Sequence, residues 1–263
     1  MITAHSALDL PITTSIFPGG EVHVRLGRMY SGSVRIRADL HSSDDIMRLL
    51  MITDAIRRED NHAKIIVDCP YLPYARQDRV CAPGEANSLR VMCDIINAQN
   101  YDQFIVWDVH SHVATGLLNR CINVPASHFT RGVVNQNMVL VAPDAGAAQR
   151  VSQCAKQSGA RMIEASKKRD PATGDISGTV VHSGNLGNAS VMIVDDICDG
   201  GRTFTALATE LRNITSGSIC LYVTHGIFSH GLRVFNGLID RIYVANPFPG
   251  VDMNNPLIKK VSP

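Results

Sequence analysis

Residues 191–207 read VMIVDDICDGGRTFTAL: an apolar, β-branched run, two adjacent acids, a short turn containing Gly200 and Gly201, and a helical pattern opening near Thr203. A strand that ends in a glycine-bearing turn and passes straight into a helix is the repeating unit of an α/β fold. Its chemistry can be read from the same residues. Glycines let the backbone approach a ligand closely, and the free N–H groups at a helix start attract phosphate oxygens. The carboxylates of Asp195 and Asp196 would repel phosphate but suit sugar hydroxyls or a metal-bound sugar. A loop holding both kinds of group points to a sugar phosphate. A glycine-rich turn alone is weak support, because many α/β proteins have one for structural reasons.

Outward from this stretch the alternation continues. Short apolar runs at 63–68, 103–108, 138–143, 190–196, 218–225 and 240–246 predict strands. Their uniform apolarity suits strands covered on both faces, as in parallel sheets. Segments 44–58, 88–98, 146–157 and 202–213 space their apolar residues by three and four, predicting amphipathic crossover helices. Asp68, Asp108, Asp144 and the pair Asp195 and Asp196 fall at or just past the carboxyl ends of these strands, the edge where open α/β sheets bind ligands. Any one of them could instead end a strand or cap a helix. The element count predicts a division near residue 125.

Bulk composition narrows the function classes. Of the 263 residues 45% are hydrophobic and 19% charged, enough for one large core or two modest ones. The formal net charge of +1 gives no reason to expect a nucleic-acid or acidic-membrane partner, so any phosphate binding must be local. Seven cysteines without a CxxC pair argue against a secreted disulfide scaffold and for a reducing cytoplasm. No apolar run approaches the roughly 20 residues that span a bilayer, and the first twenty residues do not have the layout of an export signal.

The 191–207 pattern resembles the ribose-phosphate loop shared by type I phosphoribosyltransferases and phosphoribosyl pyrophosphate synthetases. The resemblance implies that Asp195 and Asp196 meet the ribose 2- and 3-hydroxyls and that Asp199, Gly200, Gly201, Arg202 and Thr203 cradle the 5-phosphate. Further segments resemble the synthetases alone. PYLPYARQDR (70–79) is similar to their ATP-binding stretch, implying ATP contacts from Arg76, Gln77 and Asp78. VWDVHSH (106–112) implies that His110 contacts ATP and its metal, and VAPDAGAAQR (141–150) makes Asp144 a second candidate ligand for Mg²⁺. ASKKRDPATGDISG (165–178) resembles the flexible catalytic loop, with Lys167 and Arg169 facing the transferred diphosphate. IFPGGEVHVRL (16–26) resembles a segment that a neighbouring subunit inserts at the adenine, implying Phe17 and Glu21 as ATP contacts. These matches run in family order from about residue 16 to 230.

The resemblance implies an α/β chain of two similar type I phosphoribosyltransferase-like domains, each a mainly parallel sheet flanked by helices. Residues 1–125 would carry the ATP-binding segments, and 126–263 the ribose-phosphate loop and the catalytic loop. It implies transfer of the β,γ-diphosphate of Mg·ATP to the C1 hydroxyl of ribose 5-phosphate, and a homo-oligomer built from dimers, a hexamer being one such form. Two departures bear on specificity. Gly19 stands where the family usually has Asp or Asn, which weakens the expectation of a hydrogen bond to the base. The phosphate loop has Gly200 for a usual Thr and Arg202 for a usual Gly, so a hydroxyl is lost and a guanidinium gained. That exchange raises a second acceptor, a larger 5-substituted ribose such as ADP-ribose, as in NAD salvage. A phosphoribosyltransferase would leave the synthetase-like segments unexplained, and a non-catalytic synthetase-associated subunit would be expected to lack Lys167, Arg169, His110 or Asp144.

Overall fold

The computed structural model describes residues 2–5, 9–27, 32–169 and 176–262, except the side chains at 9, 167–169, 176 and 177. The chain divides into two compact units, Met1–Val124 and Pro125–Pro263.

The first unit runs β1 (Ile2–His5), β2 (Asp9–Leu10), β3 (Ile12–Ile16), β4 (Val22–Leu26), β5 (Ser33–Ala38), α1 (Ser43–Glu59), β6 (Lys64–Cys69), α2 (Ser88–Ala98), β7 (Gln103–Trp107), α3 (His112–Leu117) and β8 (Cys121–Val124). Its main sheet has the order β2-β1-β5-β6-β7-β8. From β5 to β8 the pairing is parallel, with two antiparallel strands added at the β5 side. Strands β3 and β4 form a separate antiparallel hairpin. Helix α1 begins in a capping box, in which Ser42 Oγ accepts the Asp45 N–H and the Asp45 carboxylate accepts the Ser42 N–H. Its apolar stripe of Leu49, Ile52 and Ile56 is buried with Ile36, Ile65 and Val67 of the sheet and Leu89 and Met92 of α2. Each such side chain contributes about 1.5–3 kcal/mol by leaving water.

The second unit runs α4 (Ala126–Phe129), β9 (Val139–Ala142), α5 (Ala148–Ser158), β10 (Arg161–Arg169), β11 (Ile176–Val181), β12 (Val191–Cys198), α6 (Arg202–Arg212), β13 (Ile219–Gly226), β14 (Arg241–Pro247) and β15 (Ile258–Lys260). Its sheet has the order β11-β10-β9-β12-β13-β14-β15, parallel throughout except for the β10–β11 pair. Every residue of β9 and β13 is buried, as the apolar runs required. Leu207 and Leu211 of α6 pack with Ile193, Leu221 and Val223 in the core.

All six predicted strands are present, and the four predicted helices lie within two residues of their expected ends. One expectation is corrected. Segment 165–178, expected to be a flexible loop from its resemblance, is strand at both described ends, because β10 pairs antiparallel with β11. The pairing partner supplies the hydrogen bonds that the polar composition concealed, and the register shifts between Lys168 and Arg169. Lys167 and Arg169 belong to β10, but their side chains lie outside the described residues.

Candidate functional site: the acid pair and the glycine turn

Strand β12 extends to Cys198, two residues beyond the predicted end, and its first four residues are buried. Asp195 and Asp196 therefore sit within the carboxyl-terminal half of the strand, not past it. Asp199 and Gly200 form the turn, and Gly201 begins α6 with φ +83° and no side-chain cap. Glycine is required at 201. A Cβ there would lie 2.6 Å from Cζ of Phe235, on a backbone conformation that L side chains rarely adopt. Gly201 brings no side chain of its own to the first N–H groups of α6, and the start of a helix favours an anion. Arg202 is exposed and Thr203 half-buried beside it.

One guanidinium links the two acids. Arg150, in α5, places Nη1 3.2 Å from Oδ1 of Asp195 and Nη2 3.6 Å from Oδ2 of Asp196. All three side chains are largely buried, and the Asp196 N–H donates to Asp195 Oδ1 at 2.9 Å. Burial and the neighbouring Asp196 carboxylate push the Asp195 carboxyl well above the ordinary carboxylate range, while Arg150 pulls it back. Arg150 was quoted in the sequence as part of a helix start and given no role. Its spacing, six residues after Asp144 and on the first turn of α5, is the signal that could have pointed to it.

The segment after β13 closes over this turn. The N–H groups of Ile227 and Phe228 donate to the Cys198 carbonyl at 2.8 and 3.1 Å. His230 then lies against Gly200, where a Cβ would be 3.1 Å from both Nδ1 and Cε1 of the imidazole. Nothing in the local sequence marks His230, because only the fold brings it to Gly200.

Asp144 stands just past β9 and is half-buried; its Oδ1 accepts the Gly146 N–H at 3.0 Å. Among the described residues no three His, Cys, Asp or Glu side chains gather into a metal-binding group. The Asp144 carboxylate is the oxygen-donor type that a hard cation prefers.

The first unit holds the other predicted contacts. Arg76 and Gln77 are exposed in the turn after Pro70, and the Gln77 N–H donates to the Tyr74 carbonyl. Asp78 lies 3.7 Å from Arg79. His110 is exposed just beyond β7, after the buried Asp108, whose φ of +41° turns the chain and whose N–H donates to Val124. Phe17 and Glu21 lie at the tip of the β3–β4 hairpin, with Phe17 packed edge-on to His23. Asp68, counted among the strand-end acids, has structural partners: its carboxylate accepts from Trp107 Nε1 and from Arg37, both at 3.0 Å.

Residues 6–100 match the model of the N-terminal domain of ribose phosphate pyrophosphokinase, and residues 126–230 match the phosphoribosyl transferase domain. The chain is 30% identical over 257 residues to a ribose-phosphate pyrophosphokinase of Aquifex aeolicus, covering 92% of this chain and 79% of that one. It is 28% identical over 239 residues to a ribose-phosphate pyrophosphokinase of Pyrococcus furiosus, covering 89% of this chain and 84% of the other. The crystal structure of phosphoribosylpyrophosphate synthetase from Mycobacterium smegmatis has the same fold, with a TM-score of 0.81 over 96% of this chain and 86% of that one at 22% identity. Two family domains in this order and a relative aligned over most of both chains make this protein a member of the ribose-phosphate pyrophosphokinase family.

Proposed function

We propose that the protein transfers the β,γ-diphosphate of Mg·ATP to the C1 hydroxyl of ribose 5-phosphate, giving phosphoribosyl pyrophosphate and AMP. The observation that carries this reading is the join between the Arg150-held acid pair and the uncapped start of α6 on Gly201. Hydroxyl acceptors and anion donors lie six residues apart on one strand and turn, as a ribose 5-phosphate requires.

In this reading Asp195 and Asp196 accept hydrogen bonds from the ribose hydroxyls and fix the sugar's rotation. Residues Asp199 to Thr203 hold the 5-phosphate. The C1 hydroxyl oxygen forms a bond to the β-phosphorus, the bond from that phosphorus to the α,β-bridging oxygen breaks, and AMP leaves with that oxygen while the hydroxyl proton passes to solvent. Positioning and charge neutralisation account for most of the acceleration in such a transfer. Lys167 and Arg169 stabilise the transferring group. Arg76, Gln77, Asp78 and His110, with Phe17 and Glu21 of a neighbouring subunit, bind the nucleotide. Asp144 and His110 would hold Mg²⁺, whose charge would offset that of the phosphates. A homo-oligomer built from dimers in the cytoplasm completes the reading; among the described residues no helix is long and apolar enough to cross a membrane.

The test is AMP release from Mg·ATP with ribose 5-phosphate, the product identified by mass spectrometry. Lys167→Ala and Arg169→Ala are each expected to lower kcat by about 10²–10³ with smaller effects on KM. AMP formation that does not depend on ribose 5-phosphate would refute the reading.

A further inference from the structure

Beside the glycine turn of the second unit lies a cavity of about 480 Å³. That is within the range of small-ligand sites. His230 belongs to both places. It lines the cavity, and its imidazole occupies the space beside Gly200 that any larger residue would need. Gly201 is held from the same side, where a Cβ would meet Phe235 and Val234. Segment 227–235 therefore has the phosphate-binding turn on one side and the cavity next to it, with one exposed imidazole at the boundary.

The cavity wall has the chemistry of a nucleotide-like group. Arg233 and His230 offer donors for phosphate oxygens, and Val251 with the neighbouring backbone of Gly250 offers apolar surface. Asp252 and Asn255 suit sugar hydroxyls or ring nitrogens, and each is locked in place by accepting a backbone N–H, from Asn254 and Leu257 respectively, at 3.0 Å. A bare 5-monophosphate seated at Gly200 and Gly201 would reach His230, which lies against Gly200, but would not itself fill a cavity of this volume that is also lined by Val251, Asp252 and Asn255. Arg202, exposed on the first turn of α6, adds another cation at the same turn.

We infer that the acceptor site continues past His230 into this cavity, so that the protein also takes riboses whose 5-phosphate is extended by a second phosphate and a nucleoside. The inference rests on the diphosphotransferase reading above and concerns only the acceptor. The bonds made and broken are the same, because the extension lies at the far end of the sugar from C1. His230 is then a specificity-determining residue and Gly200 the position that leaves it room.

The experiment supplies Mg·ATP with ribose 5-phosphate or ADP-ribose and follows AMP and product mass. ADP-ribose is expected to gain a diphosphate. Arg233→Ala and Val251→Trp, the second filling the cavity, are expected to lower kcat/KM for ADP-ribose at least tenfold while changing that for ribose 5-phosphate less than about twofold. Turnover of ribose 5-phosphate, with ADP-ribose neither consumed nor competing, overturns the inference and leaves the diphosphotransferase reading intact. So does equal loss with both acceptors, or no effect of either variant on ADP-ribose. Absence of AMP with both acceptors in the unaltered protein defeats both readings together.

Discussion

Arg150 Nη1 lies 3.2 Å from Asp195 Oδ1, joining the first turn of α5 to the carboxyl-terminal half of β12. The same guanidinium reaches Asp196 at 3.6 Å, so two neighbouring carboxylates share one fixed cation. Removing it would leave two buried like charges facing each other. Arg150→Met is expected to destabilise the protein by about 3 kcal/mol and to raise KM for the acceptor by about tenfold or more, with KM for ATP little changed. Urea unfolding and initial rates at varied acceptor check both. An unchanged acceptor KM would show that the clamp does not position the sugar.

The raised pKa of the Asp195 carboxyl has a definite sign in stability. A group protonated more readily in the folded than the unfolded state stabilises the fold most below its unfolded pKa, and that contribution is lost as pH rises through the folded one. The acceptor-free protein should therefore lose stability relative to Asp195→Asn as pH climbs from the ordinary carboxylate range through the raised value. At neutral pH the variant should melt higher, on the order of 2–4 °C, while its acceptor KM worsens. Melting curves at several pH values that run parallel for the two proteins would remove this account.

Gly201 and Gly200 make different demands. Gly201→Ala adds a Cβ 2.6 Å from a buried phenylalanine ring at φ +83°, and should cost roughly 2–4 kcal/mol together with acceptor binding. Gly200→Ala meets only the exposed His230 at 3.1 Å, and should cost under about 1 kcal/mol. Chemical denaturation of the two variants side by side distinguishes them; equal losses would mean that Phe235 yields as easily as His230.

Asp68 should behave as a structural acid. It accepts from the indole of Trp107 and from Arg37, whose guanidinium also stacks 4.5 Å over that indole. Asp68→Ala leaves both donors without this acceptor and should destabilise the protein by roughly 1–3 kcal/mol, with acceptor and ATP KM unchanged. Trp107 is the only tryptophan in the chain, so its fluorescence reports directly on this network. A wild-type spectrum and stability in the variant would count against the assignment.

Which parts of this molecule are legible in the sequence follows from what fixes each part. Strands such as β13 are buried on both faces and so are written as unbroken apolar runs. Strand β5 was missed because Arg35 and Arg37 interrupt its buried Val34 and Ile36, an alternation short enough to pass for a polar linker. The hairpin of β10 and β11 was missed because pairing with a partner strand, not local composition, makes it a strand. In the site, the acids and glycines are contiguous and could be read as one loop. Arg150 and His230 reach that loop from 45 residues before Asp195 and 30 residues after Gly200, and only the fold brings them there.

The division at Val124 cuts the chain once, so each sheet is made from one uninterrupted stretch of residues. Strand β8, at the edge of the first sheet, is also the last element before the cut. The first unit can complete its hydrogen-bonded ladder as soon as residue 124 has left the ribosome, with no segment still to be synthesised needed to finish it. Slow closure of parallel crossovers, the step most exposed to aggregation, is thereby split into two shorter episodes, and synthesis itself sets their order.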